Sequence, residues 1–103
     1  MSSPHTVDAP RRRVAVLGSA GSIGRQTLDV LATHPDAFDV VALATGGNAA
    51  ALAEQAARFR PAAVALGSNA HLDLPSHVLR EPGTGDEALV ALATRDDVDL
   101  VVV

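Results

Sequence analysis

The sequence between residues 14 and 24 reads Val14-Ala15-Val16-Leu17-Gly18-Ser19-Ala20-Gly21-Ser22-Ile23-Gly24. Its four leading residues form an uninterrupted apolar run, which is typical of a parallel strand buried on both faces. The glycines that follow have the spacing G-x-x-G-x-x-G, and residues 22–33 continue with apolar residues at helical spacing. A strand, a glycine loop and a helix in this order predict the first part of a Rossmann-type dinucleotide site.

Each glycine of this loop has a separate expected task. Gly18 lets the chain turn sharply out of the strand, Gly21 lets the backbone approach a pyrophosphate, and Gly24 lets the helix pack against the sheet. The amides at the start of the helix favour a phosphate charge, and we expect Ser19 and Ser22 to add hydroxyl donors. The alternative is a tight strand-to-helix turn that binds no ligand.

The rest of the chain alternates between apolar strands and helices. Further strands are predicted at 38–44, 62–66, 77–80 and 99–103, and helices at 22–33, 49–60 and 87–94. The stretch 67–75 is predicted to be a polar connection with one helical turn. This order predicts an α/β fold with a partial Rossmann-type doubly wound parallel sheet, in which β-α-β-α-β is followed by further strands.

Polar residues mark the predicted starts of the two later helices. Asn48 is expected to cap the helix at 49–60, and Asp86 the helix at 87–94. In the first of these helices, the stripe of Leu52, Ala56 and Phe59 should face the core. The residues expected to face elsewhere are Glu54, Gln55, Arg58 and Arg60.

The length of 103 residues suits one domain and is too short for a cofactor domain plus a substrate domain. Residues 1–12 show no periodicity and are predicted to be a flexible N-terminal extension. Residues 13–103 are predicted to form an incomplete Rossmann domain, because the sequence stops within an apolar strand. A dehydrogenase would therefore need catalytic and C-terminal domains that this sequence lacks.

Composition and charge limit the classes of function. The chain has a formal net charge of −4 and contains no Cys, Trp or Tyr. The net charge argues against a nucleic-acid or anionic-membrane partner, since both need a basic field. No secretory or membrane-spanning segment fits the sequence, which favours a cytoplasmic location. The histidines at 5, 34, 71 and 77 lack metal-ligand spacing, and they and the acidic run at 96–99 are expected to be solvated.

The end of the second predicted strand bears on which dinucleotide is bound. An NAD site normally places Asp or Glu there, on the ribose hydroxyls. The nearest acid, Asp39, precedes the strand and lies at its wrong end. A 2′-phosphate is therefore tolerated, and Thr45, Asn48 and the backbone amides of Gly46-Gly47 can bind it, with Arg25 as a counter-charge. NADP is preferred over NAD on this ground, while Asn48 has the alternative role of a helix cap alone.

The loop also has a specific continuation. The sequence runs Gly18-Ser19-Ala20-Gly21-Ser22-Ile23-Gly24-Arg25-Gln26-Thr27-Leu28-Asp29-Val30, and later Pro35-Asp36, Phe38, Val40-Val41-Ala42-Leu43, Gly46 to Asn48 and Asp97-Val98-Asp99. These residues resemble the opening of the 1-deoxy-D-xylulose 5-phosphate reductoisomerase family, NADPH-dependent enzymes of non-mevalonate isoprenoid biosynthesis. A GSxGSIG loop followed by Gln-Thr-Leu-Asp-Val is far more specific than the glycines alone.

The resemblance implies a set of cofactor-binding residues. With the loop positions added from the glycine pattern, the set is Gly18, Ser19, Ala20, Gly21, Ser22, Ile23, Gly24, Gly46, Gly47 and Asn48. Two positions depart from the family pattern. Ala20 stands where Thr is frequent, and Gly47 stands where the family can have Lys. Phosphate binding would then depend on backbone donors, with weaker discrimination against NADH.

The resemblance also implies a reaction for a longer protein. The family rearranges 1-deoxy-D-xylulose 5-phosphate and reduces it to 2-C-methyl-D-erythritol 4-phosphate, with a divalent metal, Mn or Mg, held by carboxylates. A phosphorylated sugar substrate and a homodimer are expected with it. The metal, catalytic and substrate residues are expected beyond Val103, so this chain alone should be inactive. The alternatives are another NADP-dependent reductase, such as a semialdehyde dehydrogenase, and a non-catalytic nucleotide-binding module.

Overall fold

The structure, a computed structural model that describes residues 11–103, follows the predicted alternation of strands and helices. Its elements are β1 (Arg12–Leu17), α1 (Ser22–Ala32), β2 (Phe38–Thr45), α2 (Ala49–Phe59), β3 (Ala63–Leu66), β4 (Leu79–Arg80), α3 (Asp86–Ala93) and β5 (Leu100–Val102). The predicted extension at 1–12 lies outside the described residues, apart from Arg11 and Arg12. Arg12 already belongs to β1, so this strand begins one residue before the predicted domain boundary.

The strands of the described residues form one parallel sheet with the order β4-β3-β2-β1-β5. Because β5 lies beside β1, the chain crosses from one edge of the sheet to the other between β4 and β5, as in a doubly wound sheet. The α/β class and the Rossmann-type sheet are therefore confirmed. The β1–β2 register skips one residue, because Val14 pairs with Val40 and Ala15 with Ala42. This irregularity explains why Val40 and Leu43, three residues apart, share one core cluster.

One core cluster lies between the sheet and helices α1 and α2, and its strand residues are mostly Val and Leu. Its buried members are Val14, Val16, Val40, Leu43, Val64, Leu66 and Val78 with Leu28, Leu31, Leu52 and Ala56. Right-handed crossovers from β1 to β2 and from β2 to β3 run in the same direction across the sheet, so they place both helices on one face. Close packing of branched side chains on this face fixes α1 and α2 relative to the strand ends.

A second core cluster, under α3, is built largely from alanine. Its buried members are Ala15, Ala42, Ala44, Ala63 and Ala65 from the strands, and Ala88 and Leu92 from α3. Alternate residues of a strand point to opposite faces, so the alanines alternate with the valines and leucines of the first cluster. Both faces of the central strands are buried, as the uninterrupted apolar runs predict.

Three local predictions differ from the structure. Asp86 is the first residue of α3 and not its cap, because Gly85 holds the N-cap position and no side chain caps this helix. The stretch 67–75 contains no helical turn, and β4 is limited to Leu79–Arg80 instead of 77–80. Arg80 explains part of this difference, since its guanidinium donates to the carbonyl oxygens of Ser68 and Ala70 at 2.9 and 2.8 Å and so holds the stretch in an irregular form.

The prediction for Gln55 is wrong in a way that matters for the site. Gln55 is only 7% exposed and does not lie on the outer side of α2. Relative to Leu52, its position is i+3, which lies on the same helical face as the i+4 position of Ala56. Residue type favoured the surface, but helical geometry places the side chain inside.

The amino ends of the strands lie away from the glycine loop and are held by charged groups. The amide and guanidinium of Arg13 donate to the carboxylate of Asp99 at 2.9 to 3.1 Å. Asp39 lies at this same end, paired in register with Arg13 and 3.6 Å from the guanidinium of Arg11. None of the described helices is both long and apolar enough to cross a membrane.

Candidate nucleotide-binding site

The carboxyl ends of the strands open into a cleft of about 770 Å³. Its walls come from the ends of β1, β2, β3 and β5, from the first turn of α1 and from the start of α3. In a parallel sheet, the loops that follow the strands converge at this edge, which is where ligands bind in Rossmann-type folds. The glycine loop follows β1 and therefore forms one side of the cleft.

Two consecutive amides attach the glycine loop to the end of β2. The amides of Gly18 and Ser19 both donate to the carbonyl oxygen of Ala44, each at 2.8 Å. Gly18 has a φ of +77°, a conformation that side chains with a Cβ rarely adopt. The sharp turn predicted at Gly18 is thus present, and it is fixed by hydrogen bonds to the neighbouring strand.

Gly24 and Gly21 are glycines for different reasons. A Cβ at Gly24 would overlap the carbonyl oxygen of Gly18 and lie 2.8 Å from Cα of Ser19, so the fold itself requires glycine there. A Cβ at Gly21 would make only an ordinary contact of 3.4 Å with the Gly18 oxygen. The protein therefore has room for a side chain at Gly21, and the missing Cβ leaves space on the cleft side.

The amino end of α1 faces this cleft without a side-chain cap. Its N-cap residue is Gly21, in an extended conformation with φ −74° and ψ 169°. The amides of residues 22–24 form the first turn, where a helix provides no acceptor of its own. The same turn contains no acidic residue. These amides therefore offer a group of donors to an anion, and the helix dipole adds to the attraction.

Arg25 is bound to the loop. Its Nε donates to the carbonyl oxygen of Ala20 at 2.9 Å, and its amide donates to that of Gly21 at 2.9 Å. Because a guanidinium has five N–H groups, this contact leaves others to meet a second acceptor. A positive charge is thus held next to the glycine loop, while the role of Arg25 as a counter-charge to a 2′-phosphate stays a prediction.

The segment after β2 contains further hydrogen-bond donors near the cleft. Asn48 caps α2 as predicted, because its Oδ1 accepts from the amide of Ala51 at 3.0 Å. The cap uses only the oxygen and leaves Nδ2 to donate elsewhere. Gly46 and Gly47 have open space where a Cβ would be. Thr45 is buried and lines the cleft, while Asp39 lies at the other end of the strand.

Gly67 is a part of the site that the sequence reasoning missed. Its amide donates to the carbonyl oxygen of Thr45 at 2.9 Å, and a Cβ there would lie 2.7 Å from the carbonyl oxygen of Gly46. The loop after β3 thus presses against the loop after β2. A signal was present, because Gly67 directly follows an apolar strand and the ends of neighbouring parallel strands share one edge.

The start of α3 is a second part that was missed. Thr84, Gly85 and Asp86 line the cleft opposite the glycine loop. Asp86 is the one acidic residue among the described residues that line it. The sequence shows that a helix begins here, but the crossover that carries α3 to this wall depends on the strand order.

The candidate residues divide into three groups: those that line the cleft, those beside it, and the buried Ser19. Those that line the cleft are Gly18, Gly21, Ser22, Ile23, Gly24 and Gly46. Ala20, Gly47 and Asn48 lie beside it and outside its lining. Ile23 is 64% exposed and lines the cleft. The hydroxyl of Ser19 is fully buried and has no partner among the described residues, so it does not face the cleft as a donor, contrary to expectation.

The acidic residues near the other end of the sheet are held by arginines. Hydrogen bonds from Arg13 lower the pKa of Asp99 to about 2, and those from Arg95, whose Nε lies 2.8 Å from Asp97, lower the pKa of Asp97. His34, His71 and His77 are exposed, and His5 lies outside the described residues. No group of three or more His, Asp or Glu side chains within residues 11–103 could hold a metal ion.

Comparison with known proteins identifies the family. The family model described as 1-deoxy-D-xylulose 5-phosphate reductoisomerase matches residues 14–103. The chain belongs to the 1-deoxy-D-xylulose 5-phosphate reductoisomerase family. The match runs from the buried part of β1 through β5, so the resemblance carried by the glycine loop is confirmed.

Individual reductoisomerases agree with this result. The relative from Synechocystis sp., named 1-deoxy-D-xylulose 5-phosphate reductoisomerase, is 47% identical over 98 residues, covering 88% of this chain and 25% of its own. A solved reductoisomerase in complex with magnesium has a TM-score of 0.75 at 27% identity, covering 89% of this chain and 24% of that one. Another, in complex with NADPH, fosmidomycin and magnesium, has a TM-score of 0.73 at 28% identity, with 87% and 23% covered. This chain spans about a quarter of the length of the reductoisomerases it matches.

Proposed function

We propose that this chain binds NADPH as the nucleotide-binding part of a 1-deoxy-D-xylulose 5-phosphate reductoisomerase. The observation that carries the proposal is the glycine at position 21, which the fold does not require and which lies at the cleft below the uncapped start of α1. A pyrophosphate that approaches the backbone accounts for this glycine. Support also comes from the family match and from a solved member that contains NADPH.

In this proposal two groups of donors bind the phosphates. The amides of residues 22–24 bind the pyrophosphate, with the Arg25 guanidinium beside them. The backbone amides of Gly46 and Gly47 and the Nδ2 group of Asn48 bind the 2′-phosphate. The last residue of β2 is Thr45 and not the Asp or Glu of an NAD site. No carboxylate at this strand end therefore repels a 2′-phosphate. Recognition through backbone amides predicts a modest preference for NADPH over NADH.

The reaction is proposed for the whole protein, of which this chain corresponds to a part. Bound NADPH would supply a hydride to the rearranged substrate, and residues 21–25 and 46–48 would bind and orient the NADPH. The described residues do not fit a divalent metal. We therefore assign the Mn or Mg ligands, the catalytic groups and the site for the phosphorylated sugar to other parts of a cytoplasmic homodimer.

A titration of NADPH and NADH into the full chain by calorimetry tests the proposal. Gly21→Val should weaken NADPH binding by at least about tenfold, because the branched side chain occupies the space proposed for the pyrophosphate. Its backbone conformation is compatible with Val, so the variant should remain folded.

Two further variants make the result interpretable. Ala57→Val also introduces a branched valine side chain, but on the exposed side of α2, and this variant should bind NADPH like the unmodified chain. Gly24→Ala should unfold or strongly destabilise the protein, because its Cβ overlaps backbone atoms. Unchanged NADPH binding by folded Gly21→Val would contradict the assignment of the loop.

A further inference from the structure

Gln55 joins helix α2 to the glycine loop. Its Nε2 donates to the carbonyl oxygen of Ser19 at 2.9 Å, across 36 positions of sequence. The side chain is 7% exposed, and Ser19 is fully buried. A carboxamide hydrogen bond in such surroundings fixes the orientation of the groups that it connects.

The contact completes the attachment of one peptide segment of the loop. The amide of Ser19 donates to the carbonyl oxygen of Ala44 in β2, and its carbonyl oxygen accepts from Gln55 in α2. Ser19 is therefore held from two elements. The next residues, Ala20 and Gly21, lead directly into the first turn of α1, so the position of Ser19 sets where the amides of that turn lie.

Helix α2, which contains Gln55, begins directly after residues 46–48, the donors proposed for the 2′-phosphate. Asn48 caps α2, and Gln55 lies about two turns further along the same helix. A rigid helix thus connects the segment at 46–48 to the glycine loop through one hydrogen bond. Movement of one donor group relative to the other would break that bond.

Stability alone does not explain a glutamine at this position. Its Oε1 has no hydrogen-bond partner within the described residues, and neither does the hydroxyl of Ser19. A buried polar atom without a partner lowers stability, and a leucine of similar size would remove that atom while also removing the bond to the Ser19 carbonyl oxygen, so the two effects on stability offset each other. The gain from glutamine is the placement of the Ser19 carbonyl.

We propose that Gln55 is a positioning residue for dinucleotide binding, which holds the glycine loop at a fixed distance and orientation from the start of α2. The inference rests on the proposed NADPH-binding function. Gln55 contacts no part of the cofactor in this proposal, and it acts through Ser19. If its hydrogen bond is lost, the amides of residues 22–24 and the donors of residues 46–48 are less well placed to bind the same dinucleotide at once.

The first test compares Gln55→Leu with Glu54→Leu, a matched change at the neighbouring exposed residue. In Gln55→Leu, loss of the hydrogen bond to Ser19 is offset by removal of the unpaired Oε1, so thermal stability should stay close to that of the unmodified chain. The hydrogen-bonded loop amides of Gly18, Ser19 and Gly21 should exchange hydrogen faster without ligand, and binding of NADPH should weaken about tenfold. Glu54→Leu should leave the amide exchange of the loop and the affinity for NADPH unchanged.

The second test uses Gln55→Glu and pH. A neutral carboxyl group can donate to the Ser19 carbonyl, but a carboxylate cannot. Burial raises the pKa of a carboxyl group, so the variant should be largely neutral near pH 5 and ionised near pH 8. NADP⁺ is the probe, because NADPH decomposes in acid. The ratio of the variant Kd to that of the unmodified chain should be near one at pH 5 and about ten or more at pH 8.

The outcomes separate this inference from the proposed function. If the unmodified chain binds neither NADPH nor NADP⁺, the proposed function fails and the inference fails with it. If the unmodified chain binds them and Gln55→Leu binds equally well, with unchanged loop exchange, only the role of Gln55 is overturned. A third outcome combines two results: Gln55→Leu loses affinity together with thermal stability, and Gln55→Glu does not regain affinity at low pH. Gln55 would then have only a structural role, and the inference would again be overturned.

Discussion

At the scale of single residues, the glycines of this chain differ in what they permit. Gly18 needs glycine for its positive φ, and Gly24 and Gly67 need it because other backbone atoms lie too close. Gly21 and Gly47 have no such restriction. Positions of this second kind are where a change can alter ligand binding while the fold is kept.

Gly47→Lys should strengthen NADPH binding. Open space surrounds the site of its Cβ, and the added ammonium would lie near the proposed 2′-phosphate. We expect affinity for NADPH to rise several-fold at low ionic strength, with little change for NADH and a smaller gain at high salt. Calorimetric titrations of both dinucleotides at two salt concentrations measure this effect.

Gly47→Gln is the matched control, since it adds a long polar side chain without a charge. An equal gain for both dinucleotides, or a gain in Gly47→Gln as large as that in Gly47→Lys, would contradict a 2′-phosphate contact at this segment.

At the scale of elements, Asn48 has two proposed roles that can be separated. Asn48→Ala removes the cap of α2 and should lower the free energy of unfolding by about 1 kcal/mol. Asn48→Asp keeps an oxygen that accepts from the amide of Ala51, so it should preserve stability. Its charge should repel a 2′-phosphate and weaken binding of NADPH more than that of NADH.

Denaturant unfolding and dinucleotide titration of the two variants test this separation. If Asn48→Asp binds NADPH as well as the unmodified chain, then Asn48 is only a cap, and the 2′-phosphate must be bound elsewhere.

The elements themselves could be predicted from local pattern, but several contacts between them could not. Apolar runs and the glycine loop were enough for β1, α1, β2 and the cap at Asn48. The inward position of Gln55 was missed because a polar residue type was given more weight than its i+3 spacing from Leu52. The burial of Ser19 and the role of Gly67 depend on how loops after different strands meet, which no single segment of sequence encodes.

At the scale of the whole molecule, ion pairs connect strands at the end of the sheet that lies opposite the cleft. Arg13 of β1 and Asp99, directly before β5, join the two neighbouring strands by side-chain and backbone hydrogen bonds. Arg13 lowers the pKa of Asp99 to about 2. A lowered pKa means that the pair stabilises the folded chain above the unfolded value of 3.8, and that this contribution is lost as the pH falls through about 2.

Asp99→Asn should therefore lower the melting temperature at pH 7, and the difference from the unmodified chain should shrink as the pH falls from about 4 to about 2. Thermal unfolding followed by circular dichroism at pH 7, 5, 3 and 2 measures the difference. Asp36→Asn, at an exposed turn, is the control and should show a small difference at each pH. A constant difference down to pH 2 for Asp99→Asn would exclude this ion pair as a source of stability.

The two core clusters should differ in the substitutions that they accept. Every change at the alanines under α3 to a residue other than glycine adds volume, and overpacking of a dense core costs about 1–3 kcal/mol. Leucines of the first cluster can instead be exchanged at nearly constant volume, for example to Met, and such exchanges usually cost less than about 1.5 kcal/mol. In a library of random variants, folded variants with a substitution at Ala42, Ala44 or Ala65 should thus be rare. Second substitutions that restore folding to such variants should introduce smaller residues in α3. The side of the sheet with the smallest side chains should evolve most slowly.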